Sequence, residues 1–136
     1  MAKIEFAGIE EYAKKLAALG QDAEGVCKYA IYDAAGIVAD AVKSACPVRT
    51  GDLRDSVGIK RMQNKNGFIY AQIEFAGYDR KGAANAIKAS VLEYGTSTRQ
   101  KHPFIRQAVN RVKSAAQFSI EKALDEKINE IMNEKG

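Results

Sequence analysis

The residues that could take part in acid–base or nucleophilic chemistry are few and poorly spaced for it. The only histidine, His102, could form a Ser/His/Asp set on paper with Asp52 and one of several serines. No serine stands in the Gly-x-Ser-x-Gly turn that presents a nucleophile, and His102 precedes Pro103 in a basic segment. The sequence therefore predicts that the protein is not an enzyme and has no catalytic residues.

Two carboxylates, Asp52 and Asp55, stand three residues apart beside a turn. Acid–base work by such a pair needs a pocket that shifts their pKa values, and the surrounding sequence implies none. A turn cap, or an ion pair with Arg49 or Arg54, accounts for both carboxylates without any chemistry.

The two cysteines, Cys27 and Cys46, fall within one predicted helix. Nineteen residues of helix at ~1.5 Å each place them nearly 30 Å apart, so they cannot form a disulfide with each other. Their spacing does not match a metal site, and the glycines form no phosphate-binding loop. We therefore expect two buried thiols, and no cofactor, metal or small-molecule substrate.

The net charge of +4 is unevenly distributed. No acidic residue occurs between positions 94 and 120, where the basic residues are Arg99, Lys101, Arg106, Arg111 and Lys113. Such a zone is a solvated face in the simplest interpretation, but it can also bind an acidic protein or nucleic acid. No helix-turn-helix spacing or RNA-binding aromatic signature accompanies it. A DNA-binding accessory protein that uses residues 94–120 is the alternative function.

Length and composition bound the class of protein. The chain has 136 residues, of which 46% are hydrophobic, enough for one domain with its own core, residues 1–136. No apolar run approaches the ~20 residues that span a bilayer, and Lys3 and Glu5 place charges where a signal peptide would be apolar. We expect a protein made in the cytoplasm, with no membrane partner.

Hydrophobic periodicity predicts two long helices. The first covers about residues 23–46, with Asp22 as its N-cap and Pro47 as its stop, and an alanine-rich face suggests close packing. The second begins at Pro103 and runs to about residue 133. A short helix that ends at Gly20 precedes both.

Alternating residues predict a central hairpin at about 56–75, with Asn66-Gly67 at its turn and Ile69, Ala71, Ile73 and Phe75 on its core face. Lys3–Phe6 can add an edge strand. Residues 83–94 favour a short helix with Ala86, Ile87, Ser90, Val91 and Tyr94 on one side, and the alternative is that residues 90–94 end a strand. The predicted class is α+β, in which a small antiparallel sheet packs against the two long helices and the short N-terminal helix.

Two segments between these elements carry unusual turn chemistry. Pro47–Ser56 contains Thr50-Gly51-Asp52, a turn signature, followed by a leucine that can return to the core. In residues 92–106, Gly95 can adopt a left-handed conformation and Pro103 suits a helix start, so the loop between them is fixed at both ends.

These segments resemble a family of small structural proteins of tailed bacteriophages, the tail-completion or head–tail joining proteins, also known as minor tail or neck components. The family pattern runs Pro-Val-x-Thr-Gly-x-Leu-x-x-Ser, a hairpin, Glu-Tyr/Phe-Gly-Thr, and His-Pro-Phe-x-x-x-Ala at the start of the last helix. Residues 47–56, 93–96 and 102–108 match it in that order. One departure is the alanine-rich stretch Gly82–Ser90, where an extended Tyr-Ala stretch is common.

The resemblance implies an α+β subunit that forms a ring, of six copies, at the head-proximal end of the tail. There it would join the tail tube and terminator proteins to the head connector, in a virion assembled in the bacterial cytoplasm. A ring subunit requires no enzymatic activity. It requires loops that a neighbour can recognise, and a loop that is already fixed loses less entropy on association.

The hypothesis for the site follows from this implication and from the turn chemistry. We expect the 95–104 loop and the Thr50–Arg54 turn to contact a neighbouring subunit or the connector. The predicted contact residues are Arg49, Thr50, Asp52, Arg54, Thr96, Arg99, Lys101 and Arg106. The residues predicted to fix the loops are Gly51, Glu93, Gly95, His102, Pro103 and Phe104. The alternative is that Glu93, Thr96 and Phe104 only lock the loop onto the protein's own core, and Phe104 fits the core better than a contact.

Overall fold

Two long helices and a small antiparallel sheet form the protein. The computed structural model describes residues 3–4, 9–48, 50–65 and 68–135. The elements in chain order are β1 Lys3–Ile4, α1 Ile9–Ala18, α2 Ala23–Ala45, α3 Asp52–Asp55, β2 Val57–Lys65, β3 Phe68–Phe75, α4 Asn85–Tyr94 and α5 Phe104–Lys135. The predicted α+β class is confirmed, including the hairpin, both long helices and the short N-terminal helix.

The sheet has the strand order β1–β3–β2, and both pairings are antiparallel. Ile59 lies opposite Ile73, and the register shifts between Lys60 and Gln63. The face of β3 that the alternation assigned to the core is buried at Ala71, Ile73 and Phe75. The predicted Asn66-Gly67 turn lies outside the described residues. The predicted edge strand is present at Lys3–Ile4, where it pairs with β3.

α2 begins and ends where its sequence dictates. The Asp22 carboxylate accepts the N–H of Gly25 at 3.1 Å, which satisfies one of the free donors of the first turn. Cys46 has an extended backbone with ψ of 133°, as expected before Pro47. Small side chains let neighbouring elements approach its axis closely, and these are Ala30, Ala34, Ala35, Ala39 and Ala41, all buried.

α5 packs along α2 through a stripe with a four-residue repeat. Phe104, Ala108, Ala116, Ile120, Leu124 and Ile128 are buried, and Val112 is half-buried. Residues four apart lie on one ridge of a helix, which is inclined to the helix axis. The first residue of the stripe also joins α5 to the sheet, because the rings of Phe104 and Phe75 meet edge to face with centroids 6.0 Å apart.

α4 confirms the short helix predicted for residues 83–94 but buries a different side from the one its apolar residues suggested. Ile87 and Tyr94 are 66% and 75% exposed. The buried positions, Asn85, Ala89 and Glu93, recur every four residues and include two polar side chains. The sequence pattern was misleading here because both polar groups bind backbone atoms of neighbouring segments, which lowers the cost of burying them.

Candidate interaction surface

Glu93 connects the end of α4 to the start of α5. Its carboxylate accepts the N–H of Ile105 at 2.8 Å and the N–H of Arg106 at 3.0 Å. These are two of the first donors of α5, which have no partner inside the helix. Pro103, just before the helix, accepts the N–H of Gln107 at 3.1 Å but has no side-chain oxygen for a cap. Glu93 supplies that acceptor from the neighbouring helix, and its negative charge is favourable at a helix N-terminus.

The loop between the two helices closes onto Gly95. The φ of Gly95 is +74°, and a Cβ atom there would lie 2.8 Å from both the Arg99 oxygen and the Lys101 nitrogen. Thr96 donates its N–H to Arg99 at 2.9 Å, and His102 donates its N–H to the Leu92 carbonyl at 2.6 Å. Only glycine combines this backbone conformation with this close approach, so the loop has one tightly defined path.

The side chains of this loop point into solvent. Thr96, Arg99, Lys101, His102 and Arg106 are all exposed. Within the described residues, no carboxylate forms an ion pair with Arg99, Lys101 or Arg106. Three cations are thus held on or beside a fixed loop, and no carboxylate of the described residues neutralises them. Phe104, by contrast, is 1% exposed and belongs to the core.

The second predicted segment folds into a turn and one short helix. Gly51 has a φ of +88°, and Leu53 is buried. Thr50 is exposed, and its hydroxyl accepts the Asp52 N–H at 3.3 Å. Arg54 is exposed and pairs with Asp55 at 3.3 Å. Arg49, predicted as a contact, lies outside the described residues.

Asp52 is engaged by an arginine that the sequence did not single out. The Arg80 guanidinium donates to both carboxylate oxygens of Asp52, at 2.8 and 2.9 Å, and the Arg80 N–H donates to the same group at 3.1 Å. The Arg80 side chain, through this hydrogen bonding, lowers the pKa of Asp52 well below its ordinary value. This bidentate pair connects the 50–55 turn to the loop before α4. Twenty-eight residues separate the partners, and no local spacing rule reaches that far.

Asp79 organises the same loop before α4. It accepts the N–H groups of Lys81 and Ala83 and pairs with the Lys88 ammonium at 2.9 Å. The bond from Lys88, together with the backbone donors, lowers the pKa of Asp79. Asn85 donates its side-chain N–H to the Ala76 carbonyl at 3.0 Å. The two predicted contact segments therefore lie at opposite ends of α4, a ten-residue helix about 15 Å long.

An open groove of about 520 Å³ runs between α4 and the first turns of α5. Its apolar lining includes Ala89, Pro103, Ile105 and Val109. Tyr94, Lys101 and Arg106 line it as exposed side chains. The groove thus combines an apolar surface with positive charge, directly beside the fixed loop. No group of three or more His, Cys, Asp or Glu side chains within the described part of the chain could hold a metal ion.

The chain matches one family of phage proteins over more than half of its length. The family model described as "Bacteriophage HK97-gp10, putative tail-component" matches residues 10–95, which is 86 of the 136 residues. The chain belongs to this phage tail-component family. The matched range includes the Pro-Val-x-Thr-Gly-x-Leu segment and the Glu-Tyr-Gly segment, and it ends at Gly95. The His-Pro-Phe segment and α5 lie beyond it.

No curated protein and no solved structure matches the chain significantly. The function of this phage tail component is therefore inferred from its family membership and from the geometry of the loop and groove. Within the described residues, no helix has the length and the apolar character that crossing a lipid bilayer requires.

Proposed function

We propose that this tail component forms a ring, of six copies, at the head-proximal end of a phage tail. There it joins the tail tube and terminator proteins to the head connector during virion assembly. The chain acts by binding other proteins and catalyses no reaction. It is assembled in the bacterial cytoplasm and resides in the virion.

The observation that best supports this proposal is the fixed loop with its three cations, which form no ion pair among the described residues. Glu93 and Gly95 define the path of the loop, so Arg99 and Lys101 are presented with little further loss of entropy on binding. A charged surface of this kind favours complementary partners and raises the rate of encounter. Protein assembly uses such a surface directly, without a catalytic pocket.

The test is charge reversal on the loop in a phage that depends on this chain. Arg99→Glu with Lys101→Glu should block joining, so that filled heads and separate tails accumulate. The matched control is Lys14→Glu with Lys122→Glu, which changes the net charge equally at exposed positions away from the loop. Circular dichroism would establish that both variants fold. Normal virions made with the loop variant would count against the proposal.

The same cations also keep DNA binding by residues 94–120 as a second candidate function. Contacts with phosphates release counterions, so the affinity for DNA should fall steeply as salt rises. A gel-shift titration at several salt concentrations distinguishes the two functions. Absence of a shift, with virion assembly still sensitive to the loop variant, would eliminate the DNA-binding candidate.

A further inference from the structure

A second groove, of about 500 Å³, lies between the first half of α2 and the last third of α5. The described residues that line it include the carboxylates of Asp22, Asp33, Glu126 and Glu130, and among them Lys127 is the single cation. Tyr29, 72% exposed, also lines it. Like the groove beside α4, this groove has an exposed tyrosine among charged groups, but its charge has the opposite sign.

The charge of each groove is available to a partner. Among the described residues that line the basic groove, the two exposed cations Lys101 and Arg106 outnumber the single carboxylate of Glu93, which is buried and bound to two backbone N–H groups. In the acidic groove, Lys127 reaches Glu130 only at 4.0 Å, the outer limit for an ion pair. The other three carboxylates outnumber it. Exposed aromatic side chains at both grooves are typical of protein interfaces.

One copy of the chain cannot bring its own grooves together. On α5 the basic groove extends to Asn110 and the acidic groove begins at Ala123. The helix is continuous from Asn110 to Ala123, and these thirteen helical steps of ~1.5 Å hold the grooves about 20 Å apart. A symmetric dimer that paired either groove with itself would place like charges together, which is unfavourable.

We propose that the basic α4–α5 groove of one copy binds the acidic α2–α5 groove of the next copy. This contact joins two different surfaces, so every added copy leaves one groove of each kind free, and the chain of copies closes into a ring where the rotation per subunit allows. The inference rests on the proposed function for its biological setting. It adds the identity of the two surfaces that form the subunit contact.

Charge exchange between the grooves tests this contact. The basic-side variant carries Lys101→Glu and Arg106→Glu, and the acidic-side variant carries Glu126→Lys and Glu130→Lys. Each variant alone presents grooves of one sign only. We expect each to self-associate at least about tenfold more weakly than the unaltered protein, because every contact then opposes like charges. Sedimentation velocity over a range of protein and salt concentrations gives the association constants.

Two combinations should restore association. An equimolar mixture of the two variants regains complementary contacts when the copies alternate, and such a mixture closes only into rings with an even number of subunits. A single chain that carries all four substitutions also regains complementarity. We expect both to associate within about threefold of the unaltered protein, a difference of less than about 1 kcal/mol. Lys14→Glu with Lys122→Glu serves again as the control for the basic-side variant, whose change in net charge it matches.

The outcomes separate this inference from the proposed function. Failure of both combinations to restore association, or an unaltered protein that remains monomeric at low salt and at all concentrations, overturns the contact. If both combinations restore association but a virion map places the chain away from the head–tail junction, the contact is supported and the proposed function is rejected. A chain at that junction whose exchanged variants never regain association supports the function and rejects the contact.

Discussion

Replacing Glu93 with glutamine isolates the carboxylate that joins α4 to α5. The substitution keeps the size of a side chain that is 7% exposed, so it opens no cavity. The amide has one oxygen to offer in place of two, and its NH₂ group would face the N–H of either Ile105 or Arg106. The negative charge at the start of α5 is lost at the same time.

The magnitude follows from these two losses. A hydrogen bond to a charged group contributes about 1.5–3 kcal/mol, and a carboxylate beside a helix N-terminus contributes up to about 2 kcal/mol. The desolvation of the buried carboxylate offsets part of this gain in the native protein. We therefore expect Glu93→Gln to lower the free energy of unfolding by about 1–3 kcal/mol.

Urea unfolding followed by circular dichroism measures this change, and hydrogen exchange locates it. The amides of Ile105 and Arg106 should lose protection more than amides in the middle of α5. Glu126→Gln, at an exposed position on the same helix, should change the free energy of unfolding by less than about 0.5 kcal/mol. Equal stability of Glu93→Gln and the unaltered protein, or unchanged exchange at those two amides, would refute the assigned role of the carboxylate.

Three further predictions concern glycines, acid and thiols. Gly95→Ala should destabilise the protein by about 1–3 kcal/mol in urea unfolding, because the φ of Gly95 is positive and the added Cβ meets the loop backbone. Gly36→Ala in α2 should stabilise the protein by about 0.5–1 kcal/mol, because a Cβ there meets nothing within 4 Å. The pKa values of Asp52 and Asp79 in the folded protein lie below their ordinary value of 3.8. The two carboxylates therefore stabilise the fold above that pH, and their contribution is lost as the pH falls below it. Asp52→Asn should weaken this dependence on acid in unfolding curves measured at successive pH values. Burial raises the pKa of Cys46 to about 11. At pH 8 its thiol should therefore react with a disulfide reagent only as fast as the protein unfolds. Rapid labelling of the native protein would contradict this expectation.

Local patterns were sufficient for most of the fold. Asp22 and Pro47 bracketed α2 within a residue, because a cap and a proline act on the adjacent backbone. The alternation in β3 predicted the buried side of the strand, because neighbouring side chains on a strand point to opposite faces. Both signals are complete within a few residues of the element that they define.

Contacts between distant segments could not be predicted from the sequence. The buried side of α4 depends on Asn85, whose side-chain N–H donates to the Ala76 carbonyl, and on Glu93, whose carboxylate accepts backbone N–H groups of α5. The pairing of Asp52 with Arg80 joins two loops that only the folded chain brings together. The positions of Gly95 and Pro103 indicated a fixed loop, but the acceptor that Glu93 supplies to α5 became visible only in three dimensions.

The four-residue repeat along α5 limits how this helix can change in length. Each step of four residues turns the buried stripe by about 40° around the helix axis, whereas one or two inserted residues would turn the rest of the helix by about 100° or 200°. Such an insertion between Ala108 and Ile128 would carry Ile120 and Leu124 out of the core. Relatives that gain or lose residues between Ala108 and Ile128 should therefore do so in steps of three, four or seven residues.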